Sequence, residues 1–260
     1  MALSVNNLLT DLSYRFCINK NSLEHNRIET SIGFLSRSLK TTFGSNINKV
    51  VKFGSYDRST MLPRCYDNDS DVDIMIVFDH DNCSVKAETY RNWLRNFADS
   101  RYSRSDVKKD FPTVVLELDH IKFDLVPTIP LKQKYYIPDK NNDWIETDPE
   151  GFNDLLLHSD RRNNSIVKPI IRLLKAWNCS KDKPYSSYEL EKIIALLSFQ
   201  GHSIESGFFY AIDKLPMTGF SKISLIKLQH LKDDKNWLVT YLNKEDEQNS
   251  LIRLKRILPF

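Results

Sequence analysis

Metal and redox frameworks are the first features this sequence lacks. Its four cysteines, Cys17, Cys65, Cys83 and Cys179, stand far apart with no Cys-x-x-Cys pair, and its six histidines are equally scattered. A zinc site is therefore not expected. No run of about 18 apolar residues occurs, so a membrane-spanning helix is not expected either. Met1 to Lys20 lacks the positive start and unbroken apolar core of a secretory signal, which makes the cytoplasm the expected compartment. Charge of one sign is lacking too. With 37 Lys and Arg against 34 Asp and Glu, the net charge is only +3, and no footprint for long nucleic acid is visible. A small anion needs only a local basic pocket. Internal repeats and low-complexity tracts are absent as well.

What is present suits a globular enzyme of one or two lobes: 260 residues, 41% hydrophobic and 27% charged. From Leu23, the apolar residues Ile28, Ile32, Leu35 and Leu39 recur at helical spacing, and Asn21 with Glu24 has the form of a capping box. A long amphipathic helix is expected to open the fold. A short strand should end at Phe53, with Gly54 and Ser55 forming a tight turn. The run from Asp71 to Phe78 reads as a second strand, with Val72, Ile74, Ile76 and Phe78 on one face and Asp71 and Asp73 on the other. Tyr90, Trp93, Leu94 and Phe97 mark a second helix. Thr113–Leu118 and Ile121–Val126 flank Asp119 and His120 like a hairpin, with Phe123 and Leu125 inward and Asp124 opposite. Pro127 to Pro149 reads as a linking segment. Beyond it, Ile166, Ile170, Leu173, Leu174 and Trp177 form one helical stripe and Leu190, Ile193, Ile194 and Leu197 another. The expectation is an α/β first half, residues 1–148, and a helical second half, residues 149–260, with a ligand cleft between them.

Three carboxylates, Asp71, Asp73 and Asp124, are the candidate site. Aspartates at i and i+2 on a strand project side by side, and Asp124 from a neighbouring strand would complete a set of oxygen ligands suited to magnesium. Such like charges repel unless cations neutralise them. Asp67, Asp69 and Asp71 can be read instead as a solvated turn. Against that, Asp73 and Asp124 both lie inside apolar strands, where an unpaired carboxylate is unfavourable, and two violations of one kind imply a shared purpose. Gly54 lets the backbone approach a ligand closely, and Ser55 adds a hydroxyl donor for phosphate.

The run Gly54-Ser55-Tyr56-Asp57-Arg58-Ser59-Thr60, then Ser70-Asp71-Val72-Asp73, then Phe123-Asp124-Leu125-Val126-Pro127, resembles the signature of polymerase-β-like nucleotidyltransferases. Ile171-Arg172-Leu173-Leu174-Lys175-Ala176-Trp177 and Ser187-Tyr188-Glu189-Leu190-Glu191 are similar to helices of the oligoadenylate synthase and cyclic GMP-AMP synthase group, and within it to the bacterial CD-NTases of CBASS-type antiphage signalling. The resemblance covers about residue 45 to about residue 200. It implies a mixed-sheet α+β lobe with a C-terminal helical lobe, and two magnesium ions held by Asp71, Asp73 and Asp124, with manganese as a substitute. It also implies a triphosphate held by Gly54 and Ser55 and reached by Lys175 and Ser187, with Tyr188 stacked on the base. Its reaction would join ATP, GTP or pyrimidine triphosphates into cyclic di- or trinucleotide second messengers and release pyrophosphate. A regulatory protein partner is unspecified.

Two departures stand out. Ser59 occupies a position where that family often has glycine, and the interval from Thr60 to Asp71 is longer than in tRNA-tailing relatives, which favours the signalling branch. No cysteine and histidine cluster provides the zinc element of the animal DNA sensor. Two other readings stay open: a nucleotidyltransferase acting on an RNA end, a protein or a small-molecule acceptor, and an inactive nucleotide-binding protein. Lys175 also admits a reading as an exposed helix lysine, and Tyr188 as core. Residues 208–260 carry no assigned function beyond a last helix near Leu251, Leu254 and Leu258.

Overall fold

The computed structural model describes residues 4–81, 84–103, 106–110, 113–141 and 143–260. In chain order it begins α1 (Val5–Arg15), α2 (Leu23–Phe43), β1 (Ile47–Phe53), the single turn α3 (Gly54–Asp57), β2 (Asp71–Phe78) and α4 (Ala87–Arg101). Five strands follow: β3 (Asp106–Asp110), β4 (Thr113–Glu117), β5 (Lys122–Leu131), β6 (Lys134–Pro138) and β7 (Trp144–Thr147). The chain then runs through α5 (Pro149–Arg162), α6 (Val167–Ser180), α7 (Ser187–Ala195), α8 (Ile204–Lys214), α9 (Lys222–Asn243) and α10 (Glu247–Ile257). Two compact units result. One contains Ile18–Ser59 and Asp69–Asn153, the other Met1–Cys17, Thr60–Asn68 and Asp154–Phe260.

The α/β unit is built on a mixed sheet of strand order β1-β2-β5-β4-β3, with β6 pairing β5 and β7 pairing β6. Only the β2–β5 pair is parallel among the described pairings. Val72, Ile74, Ile76 and Phe78 are fully buried, whereas Asp71 and Asp73 are half-buried, so the alternation read from β2 holds over its first half. From Ile74 onward every residue of the strand is buried. Phe78 sits between helices, its ring 4.6 Å from Tyr90 of α4 and 5.6 Å from Phe43 at the end of α2. Ile28, Ile32, Leu35 and Leu39 form the buried stripe of α2.

Three expectations are corrected here. Ser22, not Asn21, caps α2: its backbone is extended and its hydroxyl accepts from the His25 N–H at 3.1 Å. Glu24 then falls in the first turn, where it complements the helix dipole without closing a box. The stretch from Pro127 to Pro149 is not a linker but the end of β5 followed by β6 and β7. Its β5–β6 turn is made by Lys132 and Gln133, at φ 49° and 65°, and a left-handed turn without Gly, Asn or Asp hides from composition. Finally, α2 does not open the fold. α1 precedes it and belongs to the helical unit, where Leu9, Leu12 and Phe16 are fully buried and α1 packs on α6 and α8.

The boundary therefore differs from a single division at 148/149. The helical unit also takes Met1–Cys17 and Thr60–Asn68. The reason lies in polar contacts as well as in packing. Arg172 on α6 donates from Nε to the Ser13 carbonyl at 2.8 Å, and Lys183 pairs with Asp67 at 2.8 Å. Asp67 is thus a buried structural partner rather than part of a solvated turn.

The core of the helical unit is α6, buried almost all round, with Ile170, Leu173, Leu174 and Trp177 excluded from solvent. Lys175 lies among them. Its ammonium is 2.9 Å from Glu191 Oε1 of α7, and the side chains are 4% and 1% exposed. Thr60 Oγ1 donates to the same oxygen at 2.8 Å. Removing one partner of a buried pair strands the other charge, at a cost of about 3–5 kcal/mol. Lys175→Met should therefore lower the melting temperature by on the order of 10 °C, and the double variant Lys175→Met with Glu191→Met should recover much of that loss in the same thermal melt.

Candidate active site

Two neighbouring strands create the site. In the parallel β2–β5 ladder, Asp71 is the register partner of Lys122, Val72 of Phe123, Asp73 of Asp124 and Ile74 of Leu125. Register partners on adjacent strands stand about 4.8 Å apart, so two carboxylate-bearing positions lie side by side on the sheet. The Asp124 Oδ1 atom is shielded from solvent. Asp71 lies two residues before Asp73, on the same face, and is half-buried.

Gly54 closes against this pair. It follows Phe53, the register partner of Asp73 on β1, and it is buried with φ at +73°. A Cβ added to Gly54 would lie 1.8 Å from Asp73 Oδ2 and 2.7 Å from its Cγ. Glycine is required here twice, by backbone conformation and by the carboxylate packed over it. Ser55 comes next and is half-buried. The turn is held from behind by α2: Lys52 Nζ and the Tyr56 hydroxyl both donate to Glu29 Oε1 at 2.9 Å. Burial pulls the Glu29 carboxyl upward, but those hydrogen bonds and the Lys52 charge outweigh it and hold it below its ordinary value. Ser59, where the resembled family often has glycine, sits at φ 61°, a left-handed conformation that glycine adopts without strain.

Sequence reasoning missed Lys122. Its ammonium lies 3.1 Å from Asp71 Oδ2. Burial lowers its proton affinity, but Asp71 and then Asp124 outweigh that and the net shift is upward. The signal was available, since two-residue alternation puts Lys122 and Asp124 on one strand face.

The remaining expected residues belong to the helical unit. Lys175 is not an exposed helix lysine: its ammonium is buried, and Glu191 supplies the partner that a buried charge needs. Ser187 opens α7 and is half-buried, while Ser186 before it is the cap, accepting from the Glu189 N–H at 3.2 Å. Tyr188 is 52% exposed and so is not core.

Among the described residues no three His, Cys, Asp or Glu side chains are grouped closely enough to hold a metal ion. Asp71 is turned toward Lys122 instead. Donor chemistry and register nevertheless fit a hard divalent ion: all three side chains are carboxylates, and Asp73 and Asp124 are strand neighbours. Cys17, Cys65 and Cys179 form no disulfide with one another, and Cys83 lies outside the described residues. No helix of the described residues is long and apolar enough to cross a membrane.

A mixed sheet carrying aspartates on adjacent strands beside a Gly-Ser turn, with a helical unit, is the polymerase-β-like nucleotidyltransferase fold. Solved structures agree: CdnC of Escherichia coli MS115-1 with ATP superposes at TM-score 0.73 and 11% identity over 97% of this chain and 96% of that one. CdnG of Bradyrhizobium diazoefficiens, a CD-NTase solved with GTP, gives TM-score 0.73 and 11% identity over 98% and 99%. Residues 3–159 match the family model of the SMODS domain, the Second Messenger Oligonucleotide or Dinucleotide Synthetase domain, and the chain belongs to this family. Among curated relatives, it is 29% identical over 102 residues to a probable cyclic nucleotide synthase of Bacillus cereus strain VD146, over 36% of this chain and 31% of that protein. It is 23% identical over 178 residues to the CBASS oligonucleotide cyclase CdnC of Escherichia coli strain KTE188, over 65% of this chain and 57% of that protein. The matches thus span a third to just over half of those relatives' length.

Gly54→Ala tests the close approach. The left-handed φ alone costs alanine about 1–2 kcal/mol, and the new methyl must push the Asp73 carboxylate aside. If this site catalyses nucleotidyl transfer, that activity should fall by far more than this loss of stability predicts, as read by comparing turnover of the folded fraction with the melting curve.

Proposed function

We propose that this chain is a nucleotidyltransferase that joins nucleoside triphosphates into cyclic di- or trinucleotide second messengers, acting in the cytoplasm in CBASS-type antiphage signalling. The observation that carries this is the register pairing of Asp73 with Asp124 beneath Gly54, in a chain of the SMODS family. The names of the relatives, a cyclic nucleotide synthase and an oligonucleotide cyclase, support the same reading.

In this reading the donor triphosphate lies on the Gly54–Ser55 turn, where glycine leaves room for the phosphates and Ser55 offers a hydroxyl. Asp71, Asp73 and Asp124 would hold divalent ions, magnesium by preference, since the donors are hard oxygens of the kind magnesium takes together with phosphate oxygens. Two bound ions would supply a more acidic attacking hydroxyl and a stabilised leaving group. A ribose hydroxyl of a second nucleotide attacks the α-phosphorus. The new O–P bond forms as the bond to the β-phosphate oxygen breaks, pyrophosphate leaves, and Asp124 takes the hydroxyl proton. Successive transfers of the same kind, one for each nucleotide and each releasing pyrophosphate, extend the chain and close the ring. Ser187 and the exposed Tyr188 are assigned to the nucleotide, Tyr188 by stacking on a base. Lys175 is assigned an indirect part, holding Glu191 and thereby α7. ATP, GTP and pyrimidine triphosphates are the candidate substrates. A protein regulator belongs to the proposal, because the Escherichia coli MS115-1 CdnC was also solved in complex with HORMA-deltaN.

Asp71→Asn with Asp73→Asn should reduce pyrophosphate release from mixed labelled triphosphates by roughly 100-fold or more. Mass spectrometry of the wild-type products should show masses of closed rings. Linear products only, or transfer that requires an added RNA, protein or alcohol acceptor, would instead select the other acceptor class.

A further inference from the structure

Lys122 is the register partner of Asp71 on the adjacent strand and stands two residues before Asp124. A lysine and an aspartate on a strand surface often form an ion pair of little consequence. Two observations separate this pair from that case. Lys122 and Asp71 are only 22% and 32% exposed, and the Lys122 ammonium lies in the field of Asp71, Asp124 and Asp69 together. Carboxylates brought near one another by strand register, Asp73 beside Asp124 with Asp71 two residues before, are costly without positive charge, and the chain has placed an ammonium against Asp71.

We propose that Lys122 is a built-in counter-cation of the carboxylate cluster, which Asp71 exchanges for a divalent ion only as the nucleotide arrives. The inference rests on the reading of Asp71, Asp73 and Asp124 as ion ligands. Asp71 Oδ2 is committed to the ammonium at 3.1 Å, so ion binding must draw that oxygen away from Lys122. The ammonium also repels an incoming dication. Both effects weaken ion binding by the protein alone, and the negative charge of a triphosphate offsets both. Lys122 is thus a positioning residue that acts through Asp71. It couples ion loading to substrate, which keeps the three carboxylates from holding a dication that has no phosphate to act on.

Manganese serves as the probe, with free ion measured by its paramagnetic resonance in the presence of the full chain and no nucleotide. Lys122→Gln should bind Mn2+ roughly tenfold more tightly than the wild type, the order expected when one unit charge near the site is removed. Lys122→Arg, which keeps the charge, should bind no more tightly than the wild type. A non-hydrolysable triphosphate analogue should narrow the difference between Lys122→Gln and the wild type. Binding to Lys122→Gln that is equal to or weaker than wild type, in protein that melts cooperatively, overturns the proposal, as does tighter binding by Lys122→Arg. Lys122→Met, with its apolar stem, replaces the Gln variant if that one does not fold, and the same outcomes decide. Asp71→Asn with Asp73→Asn separates the two readings. If it leaves wild-type Mn2+ binding unchanged, the assignment of the ion ligands fails. If it abolishes binding while Lys122→Gln binds no tighter, only the role of Lys122 fails.

Discussion

Asp73 and Asp124 are neighbours because Val72 meets Phe123 and Ile74 meets Leu125 across a parallel strand pair. Those four apolar side chains are fully buried, each contributing on the order of 1.5–3 kcal/mol. A slip of one residue would turn all of them to the opposite face, so hydrophobic burial fixes the register. Register in turn fixes the spacing of the carboxylates. The fold thus uses its most favourable interaction to hold together two groups that repel, and everything else at the site compensates for that repulsion or depends on it. Gly54 can lie over Asp73 only while Asp73 stays in place. Lys122 is in reach of Asp71 because the same ladder pairs them.

Rigidity behind the site comes from a different source. Glu29 on α2 gathers Lys52 from β1 and Tyr56 from α3, one residue on either side of the Phe53–Ser55 stretch. These groups are spaced to fix the turn to which the proposal assigns the triphosphate. Sites of this kind need such support, because a misplacement of about 1 Å costs much of the rate. The partly buried Glu29 is kept ionised by its two donors.

What the sequence disclosed follows from how local each signal is. Two-residue alternation at the starts of β2 and β5 is a property of a few adjacent residues, and it set Asp73 and Asp124 apart as charges within apolar strands. The helical stripes of α2, α6 and α7 are equally local. The β5–β6 turn stayed hidden because Lys132 and Gln133 adopt left-handed conformations that their side chains do not advertise. α1 was missed because its buried face makes sense only against α6 and α8, more than 150 residues away. Lys175 shows the same limit at a single residue. A lysine on a helix can be read as solvated, and only the fold reveals that Glu191, itself hydrogen-bonded by Thr60, meets it in the core. Long-range pairing of charges leaves no periodic trace.

The electrostatics of the α/β unit also constrain how its ligands arrive. Coupling between two ligands is reciprocal: whatever makes an ion bind better beside a triphosphate makes the triphosphate bind better beside an ion. With Lys122 paired to Asp71, the proposed ligands would each be disfavoured alone, the triphosphate by the carboxylates and the dication by the ammonium. Together they cancel both penalties. On the proposed role of Lys122, a lysine at this register position would turn two weak ligands into one strong one.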